Sequence, residues 1–182
     1  MENRAVMPAV RASEPITERQ LRSVHIRPIH ADDWRRLQRF HERLSPQTVE
    51  LRFHGAKKHL SMPLAHRFTN VDGVNEAAVV ATTGTRGCIV GVARYIRMDD
   101  RSAEVAFVVE DRYQRHHVGH RLLRRLCKEA WEHGIEEFVA EILPGNVPMF
   151  RLLGEIGSVS SHYAGGCCTA RVRLTPDCAT SR

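Results

Sequence analysis

The segment spanning residues 103–126, AEVAFVVEDRYQRHHVGHRLLRRL, constrains the fold of this chain more than any other part of it. An apolar, β-rich run passes through a short polar loop directly into a stretch whose apolar residues recur at helical spacing. The first N–H groups of a helix lack intrahelical partners, and its N-terminus has a partial positive charge, so such a junction favours anions. We therefore expect a strand–loop–helix unit that binds a phosphate group, most naturally a pyrophosphate.

The rest of the chain predicts an α/β (α+β) fold with a mixed sheet. Residues 24–75 are typical of one short strand followed by three helices. From Glu76 the pattern changes to three β-rich runs, the first two separated by the turn GTRG. Helical and β-rich stretches then alternate, and a final β pair flanks Gly165 and Gly166. Because a meander precedes the alternating half, the sheet should not be purely parallel.

Composition narrows the class of protein. The chain has 182 residues and a formal charge of +6, which suits one domain that needs neither a metal nor a disulfide to hold its core. No apolar run approaches a membrane span, and charges occupy the place of a signal peptide's apolar region, so we expect a cytoplasmic protein without a membrane partner. Aromatic residues make up only 6% and the arginines are dispersed, which argues against nucleic acid.

The predicted domain limits follow from periodicity. Residues 1–23 are polar and aperiodic, so we expect a mobile tail before a domain over 24–176, with a short C-terminal tail at 177–182. The five cysteines, of which Cys178 is the last, show no CxxC pair and should be reduced thiols.

The run DRYQRHHVGHRLL resembles the acyl-CoA pyrophosphate loop, Q/R-x-x-G-x-G/A, of the GNAT N-acetyltransferase superfamily. Within it, LSPQTVELRF, AEVAFVVEDRYQ and LPGNVPMFRLL are most similar to bacterial protein-lysine acetyltransferases whose mycobacterial members have a cyclic-nucleotide domain. The resemblance implies a mostly antiparallel sheet of six to seven strands flanked by helices, with a splayed strand pair that binds acyl-CoA. The short segment before Val24 leaves no room for the cyclic-nucleotide domain, which we do not expect.

The resemblance also implies how acetyl-CoA is held. Backbone groups of one strand would bind the pantetheine arm, and the loop with the following helical turn would bind the pyrophosphate. Those residues are Phe107, Val108, Val109, Gln114, Arg115, His116, His117, Val118, Gly119 and His120. Asn146 would add a polar contact, although an ordinary helix N-cap explains it equally well.

One position departs from the family pattern, because His117 stands where the first glycine is expected. Glycine tolerates positive φ and a close phosphate, so a histidine should narrow the loop or alter its path. A protonated His116 or His117 could instead pair with phosphate, which predicts tighter cofactor binding below about pH 6.5.

Glu104 is the candidate catalytic base. A lysine amine has a pKa near 10.4, so its attack on a thioester needs a proton acceptor. Alternation places Glu104 on one strand face with Ala106 and Val108, and burial in this apolar strand should raise the pKa of the carboxyl group. The residue also coincides with the glutamate that acts as base in the similar lysine acetyltransferases. The alternatives are a solvent-facing glutamate or one paired with an arginine such as Arg94.

These residues predict direct acetyl transfer from acetyl-CoA to an amine, a protein lysine or a small amine, within a ternary complex. Many superfamily members have a tyrosine as an acid for the thiolate where this chain has Leu153, so either no acid is needed or Tyr163 or His162 serves. His116 and His120 have metal-ligand spacing but no third ligand nearby, so we expect no metal. A CoA-sensing module without turnover is a further alternative, motivated by His117 and Leu153.

Overall fold

The computed structural model describes residues 16–53, 55 and 59–176. Its seven strands form one sheet in the order β1-β2-β3-β4-β5-β7-β6. The strands are β1 (His25–Pro28), β2 (Glu76–Thr83), β3 (Cys88–Arg97), β4 (Ser102–Val109), β5 (Glu137–Ile142), β6 (Val159–Ala164) and β7 (Cys167–Arg173). Neighbouring strands are antiparallel except β4 and β5, which are parallel. The predicted mixed, mostly antiparallel sheet is therefore confirmed.

Helices cover both faces of this sheet. They are α1 (Glu18–Arg22), α2 (Trp34–Glu42), α3 (Pro46–Phe53), α4 (Met62–Thr69), α5 (Val118–Glu132) and α6 (Val147–Gly154). On one face, α5 and α6 pack on the main core, with Leu122, Leu123 and Leu126 fully buried. On the other face, α2, α3 and α4 enclose a second core that includes Val80 and Val92 of the sheet. The sheet thus separates two hydrophobic layers.

Gly91 allows α5 to lie close to the sheet. A Cβ at this position would stand 2.9 Å from Leu122 Cδ1 and 3.4 Å from the Val108 carbonyl oxygen. Real Cβ atoms essentially never have a neighbour at the shorter distance, so a larger residue would displace the Leu122 side chain, by which α5 packs on the sheet here. Since α5 begins at the predicted anion loop, this close packing also sets the distance between that loop and β4.

The N-terminal segment differs from its sequence-based description. Residues 1–15 lie outside the described part, but Glu18–Arg22 is helical rather than tail-like. The side chains of Thr17 and Gln20 form a reciprocal capping box, and Ile16 and Leu21 pack against the main core. A helix of five residues is too short to show a hydrophobic period, although the sequence T-E-R-Q is typical of a helix N-terminal cap. The predicted domain limits remain predictions, and the tail at 177–182 lies outside the described residues.

The described cysteines are free thiols, with Cys127 and Cys168 buried; Cys178 lies outside the described residues. Among the helices in the described ranges, none combines the length and apolar character needed to cross a membrane.

Candidate active site

The parallel strands β4 and β5 separate shortly after they meet. Their pairing runs through Ser102↔Glu137 and Ala103↔Phe138 and ends at Glu104↔Val139, whereas β4 continues to Val109 and β5 to Ile142. Beyond Glu104 the two strands diverge and leave a gap in the sheet. The predicted splayed strand pair is present at the predicted strand.

Backbone groups of β4 face this gap at alternate residues. The Glu110 N–H donates to the Val90 carbonyl of β3 at 2.9 Å, so Val108, two residues earlier and opposite Val92, also directs its backbone toward β3. Phe107 and Val109 therefore direct theirs toward the gap. Of the three residues expected to bind pantetheine through their backbone, Phe107 and Val109 have the required orientation, and Val108 instead contributes its side chain to the second core.

The loop before α5 adopts the conformation that the family glycine would favour. His117 has φ 58° and ψ 11°, in the left-handed region, and Arg115 has φ 62°. His117 therefore has backbone angles that glycine adopts readily, and the expectation that a histidine narrows the loop or alters its path stays a prediction. Histidine is among the non-glycine residues found more often in this region, but the conformation still costs free energy.

The backbone N–H groups in the first turn of α5 point out of the N-terminal end of the helix. Arg121 N–H donates to the His117 carbonyl at 3.0 Å, which makes Arg121 the first residue to close an intrahelical bond. The amides of Val118, Gly119 and His120 precede it and point out of the helix. Together with the left-handed residues of the loop, they form a concave set of donors of the kind that binds phosphate.

Gln114 anchors the loop rather than presenting a free side chain. Its Nε2 donates to the Val109 carbonyl at 3.0 Å and to Thr48 Oγ1 at 3.2 Å. Asp111 joins the same group, because it accepts hydrogen bonds from the Ser45 N–H and hydroxyl and from the Thr48 hydroxyl. Burial raises the pKa of Asp111, but these hydrogen bonds outweigh it and leave the pKa below its usual value. The anion loop is thus tied to the start of α3.

Gly119 leaves space that the rest of the protein does not fill. A Cβ there would lie 3.8 Å from Leu152 Cδ2 and 3.9 Å from Val109 Cγ2, which are ordinary contacts. Its φ is not positive either. The fold alone therefore does not require glycine at this position. A ligand that lies close to the first turn of α5 would explain why position 119 has no side chain, which fits the predicted pyrophosphate.

A cleft of about 310 Å³ connects this gap to the opposite face of the sheet. Asn146 and Met149 lie at one end, near the start of α6, and Arg52 of α3 lies at the other. Asn146 is the N-cap of α6, since its side chain accepts from Met149 N–H at 3.3 Å. The capping role is therefore present, and Asn146 also lines the cleft.

Glu104 lies in this cleft, on the same sheet face as Ala106. The residue is exposed, so the burial that we expected to act on its carboxyl group is absent. The reason is that Glu104 stands where β5 begins to diverge, and the cleft above it is open. Among the described residues its carboxylate makes no hydrogen bond or ion pair. Arg94, the partner considered from sequence, donates to Glu76 at 3.2 Å instead.

Residues 32–157 match the model of the Acetyltransferase (GNAT) family. The chain belongs to the GNAT acetyltransferase family. It is 29% identical over 147 residues to the acetyltransferase Pat of Mycolicibacterium smegmatis, an alignment that covers 80% of this chain and 44% of Pat. It is 30% identical over 141 residues to the acetyltransferase PA5475 of Pseudomonas aeruginosa, covering 76% of each. The chain thus spans under half the length of the mycobacterial relative.

Solved structures agree with this assignment. The GNAT domain of S. lividans PAT matches with a TM-score of 0.77 and 32% identity, over 83% of this chain and 90% of that one. The spermidine N-acetyltransferase of Vibrio cholerae, solved with CoA and spermine, shares the fold with a TM-score of 0.65 and 12% identity, over 84% and 96% of the two chains. The recognised family and the fold class are confirmed.

This GNAT acetyltransferase lacks a protein acid at the position of the family tyrosine. Leu153 is fully buried in the main core. Tyr163 and His162 lie on β6, which is separated from β5 by β7, and neither lines the cleft described above. His120 contacts Glu155, and within the described ranges no three His, Cys, Asp or Glu side chains converge as a metal site would require.

Sequence reasoning did not single out three residues of the acetyltransferase cleft, although two of them lie in the stretch from Arg52 to Val74 that we expected to help determine the acceptor. Arg52 and Phe68 come from α3 and α4, and their approach to β4 depends on helix packing across the sheet. Arg94 was considered only as a partner of Glu104. No short motif marks these residues. The one available signal is that Arg94 interrupts the otherwise apolar run CIVGVARYI, since a charged residue in a buried strand needs a partner or a role.

Replacing His117 with glycine should stabilise the acetyltransferase by about 0.5–1 kcal/mol, because relief of the left-handed conformation outweighs the entropy that glycine loses on folding. The His116→Gly variant is the matched control, since His116 does not have positive φ. This variant should be less stable than the wild type, because glycine loses more backbone entropy on folding. Thermal unfolding of both variants checks the sign. A destabilised His117→Gly variant would show that the ring of His117, and not its backbone, supports the loop.

Proposed function

We propose that this protein transfers the acetyl group of acetyl-CoA to a protein lysine, directly and within a ternary complex, with Glu104 as general base. The observation that supports this most strongly is the location of Glu104. Its free carboxylate lies where β4 and β5 separate, in the cleft that joins the open backbone edge of β4 to the second face of the sheet. Two substrates could therefore meet at one carboxylate from opposite sides of the sheet.

Donor binding follows from the backbone. The amides of Val118, Gly119 and His120 would hold the pyrophosphate, and the gap-facing groups of Phe107 and Val109 would hydrogen-bond the pantetheine amides. The thioester would then lie near the cleft that contains Glu104. Holding both reactants in one site supplies much of the rate gain in such a transfer.

Proton transfer is the task of Glu104. The lysine ammonium gives a proton to the Glu104 carboxylate, directly or through water, and its nitrogen attacks the thioester carbonyl. As the carbon–sulfur bond breaks, the electron pair leaves with sulfur, and the second proton lost by the nitrogen passes to that thiolate or to water, so that the products are the amide and CoA. A thiolate is a tolerable leaving group, which is consistent with a buried leucine at position 153. The described cysteines do not line the cleft, so the proposal includes no acetyl-enzyme.

A small amine is the second candidate acceptor. The cleft volume of about 310 Å³ is at the lower end of the range for sites that enclose small ligands. A protein lysine would enter the same space as an extended side chain, so volume alone does not favour either acceptor.

Acetyl transfer assays test the proposal. The full chain is incubated with acetyl-CoA and either a bacterial protein mixture or a panel of small amines, and acetylated products are identified by mass spectrometry. We expect new acetyl-lysine sites that depend on both enzyme and acetyl-CoA. Acetylation of small amines alone would favour the second acceptor. Calorimetric binding of CoA with no acetylation of any amine would contradict the enzyme proposal and favour the CoA-sensing alternative.

A further inference from the structure

Arg94 is a buried cation whose hydrogen-bonding capacity is incompletely used. It is 6% exposed, and its Nη2 donates to Glu76. That carboxylate also accepts from both terminal nitrogens of Arg67. Within the described part of the chain, Arg94 Nε is buried and has no hydrogen-bond partner. Buried donors of this kind are costly unless a ligand or water satisfies them.

Arg52 lies in the same cleft and forms no ion pair with any described carboxylate. Its guanidinium lies 5.0 Å from the centroid of the Phe53 ring. Burial, and then repulsion from Arg94, lowers the pKa of Arg52 to about 10, and burial also lowers the pKa of Arg94. Both side chains remain cationic at neutral pH, and the Glu104 carboxylate attracts each of them without forming an ion pair with either.

The two arginines lie beside the base. Arg94 is opposite Ala106 on the neighbouring strand, and Glu104 precedes Ala106 by two residues on the same face. Such diagonal neighbours are about 7–8 Å apart. One acceptor could therefore place its amine at Glu104 and a second group at Arg52 and Arg94.

The charge of the acceptor indicates which chemical group Arg52 and Arg94 would bind. An amine reaches the cleft as an ammonium ion, which two guanidinium groups repel. While the ammonium is present, Glu104 supplies one negative charge against the two guanidinium groups, and Glu141 lies on β5, on the far side of the gap. An acceptor that brings its own carboxylate would remove the repulsion, and guanidinium groups bind carboxylates strongly and with defined geometry.

We propose that Arg52 and Arg94 form a carboxylate subsite, so that the preferred acceptor is an amine with a carboxylate close by, such as a lysine next to an acidic residue. The inference rests on the proposed function, because it describes the acceptor of the same site. It also predicts that polyamines, which have no carboxylate, are poor acceptors.

Arg52→Gln is the informative variant, since Arg94 is buried and its replacement could prevent folding. Two peptides with one lysine are compared, followed by aspartate in one and by alanine in the other, with spermidine as a third acceptor. For the wild type we expect kcat/KM to be about 10- to 100-fold higher with the aspartate peptide, the usual effect of a hydrogen bond to a charged group. Arg52→Gln should lower this preference, because only Arg94 then remains to bind the carboxylate. Arg35→Gln is the control, because Arg35 also lies over a ring, that of Trp34, but outside the cleft.

Three results would overturn the subsite: equal wild-type rates with both peptides, a preference for spermidine, or an Arg52→Gln variant that slows both peptides equally. Succinyl-CoA serves as a second donor, and a selective loss of its use in Arg52→Gln would assign the subsite to the acyl group instead. If no amine is acetylated, the proposed function fails. Calorimetric binding of the two peptides to the CoA-loaded protein then tests the subsite separately, with the same preference expected in the wild type and a smaller one in the variant.

Discussion

Glu104→Gln should lower kcat by about 100- to 10,000-fold, the usual contribution of general acid–base catalysis. Glutamine keeps the shape of the side chain but cannot accept the ammonium proton. Glu104 is exposed, and its carboxylate forms no hydrogen bond or ion pair within the described part of the chain. The free energy of unfolding of the variant should therefore lie within about 0.5 kcal/mol of the wild-type value. Its affinity for acetyl-CoA should also be unchanged, since the proposed donor contacts are backbone groups. CoA release under saturating substrates measures kcat.

The matched control is Glu50→Gln, which alters an exposed glutamate of α3 that does not line the cleft. This variant should retain wild-type kcat. An active Glu104→Gln enzyme would remove Glu104 from the role of base. A Glu104→Gln enzyme that is inactive and also binds CoA poorly would instead indicate that Glu104 helps to organise the gap between β4 and β5.

The order of the elements from β1 onward could be predicted because each of them is encoded locally. The hydrophobic pattern changes from helical spacing to β-rich runs at Glu76, and the turns GTRG and Gly165–Gly166 lie where the chain reverses direction. The anion loop was also predictable, since a strand, a short loop and a helix in immediate succession leave few arrangements. At His117, where the sequence departs from the family pattern, the backbone has the left-handed angles that glycine adopts most readily.

What sequence could not provide is the environment of each side chain. The alternation of side chains along β4 correctly placed Glu104 on the sheet face that it shares with Ala106. Whether the rest of the protein covers the Glu104 side chain depends on where β5 diverges from β4. Arg52 and Arg94 are 42 positions apart in the chain, and only the packing of α3 against β4 brings them into one cleft. The hydrogen bond of Gln114 to Thr48 depends on the position of the same helix. Long-range contacts of this kind leave no periodic signal.

Gly119→Ala should separate cofactor binding from folding. The added methyl group would meet Leu152 and Val109 at 3.8–3.9 Å, so the protein itself accommodates it. Alanine also favours the helix by up to about 1 kcal/mol over glycine, and the variant should therefore be as stable as the wild type or more so. Differential scanning calorimetry measures this effect.

Acetyl-CoA affinity should fall in the same variant. The methyl group points between Val109 and Leu152, at the end of the gap where the first turn of α5 meets β4, which is where the chain that follows the pyrophosphate would enter. Overfilling a packed site typically costs 1–3 kcal/mol, so the Kd should rise by about 5- to 100-fold. Gly154→Ala is the control, since nothing lies within 4 Å of a Cβ at this helical position and Gly154 lines neither the loop nor the cleft. Unchanged affinity in Gly119→Ala would mean that the pyrophosphate does not approach the start of α5, and the donor would then have to bind elsewhere along the gap.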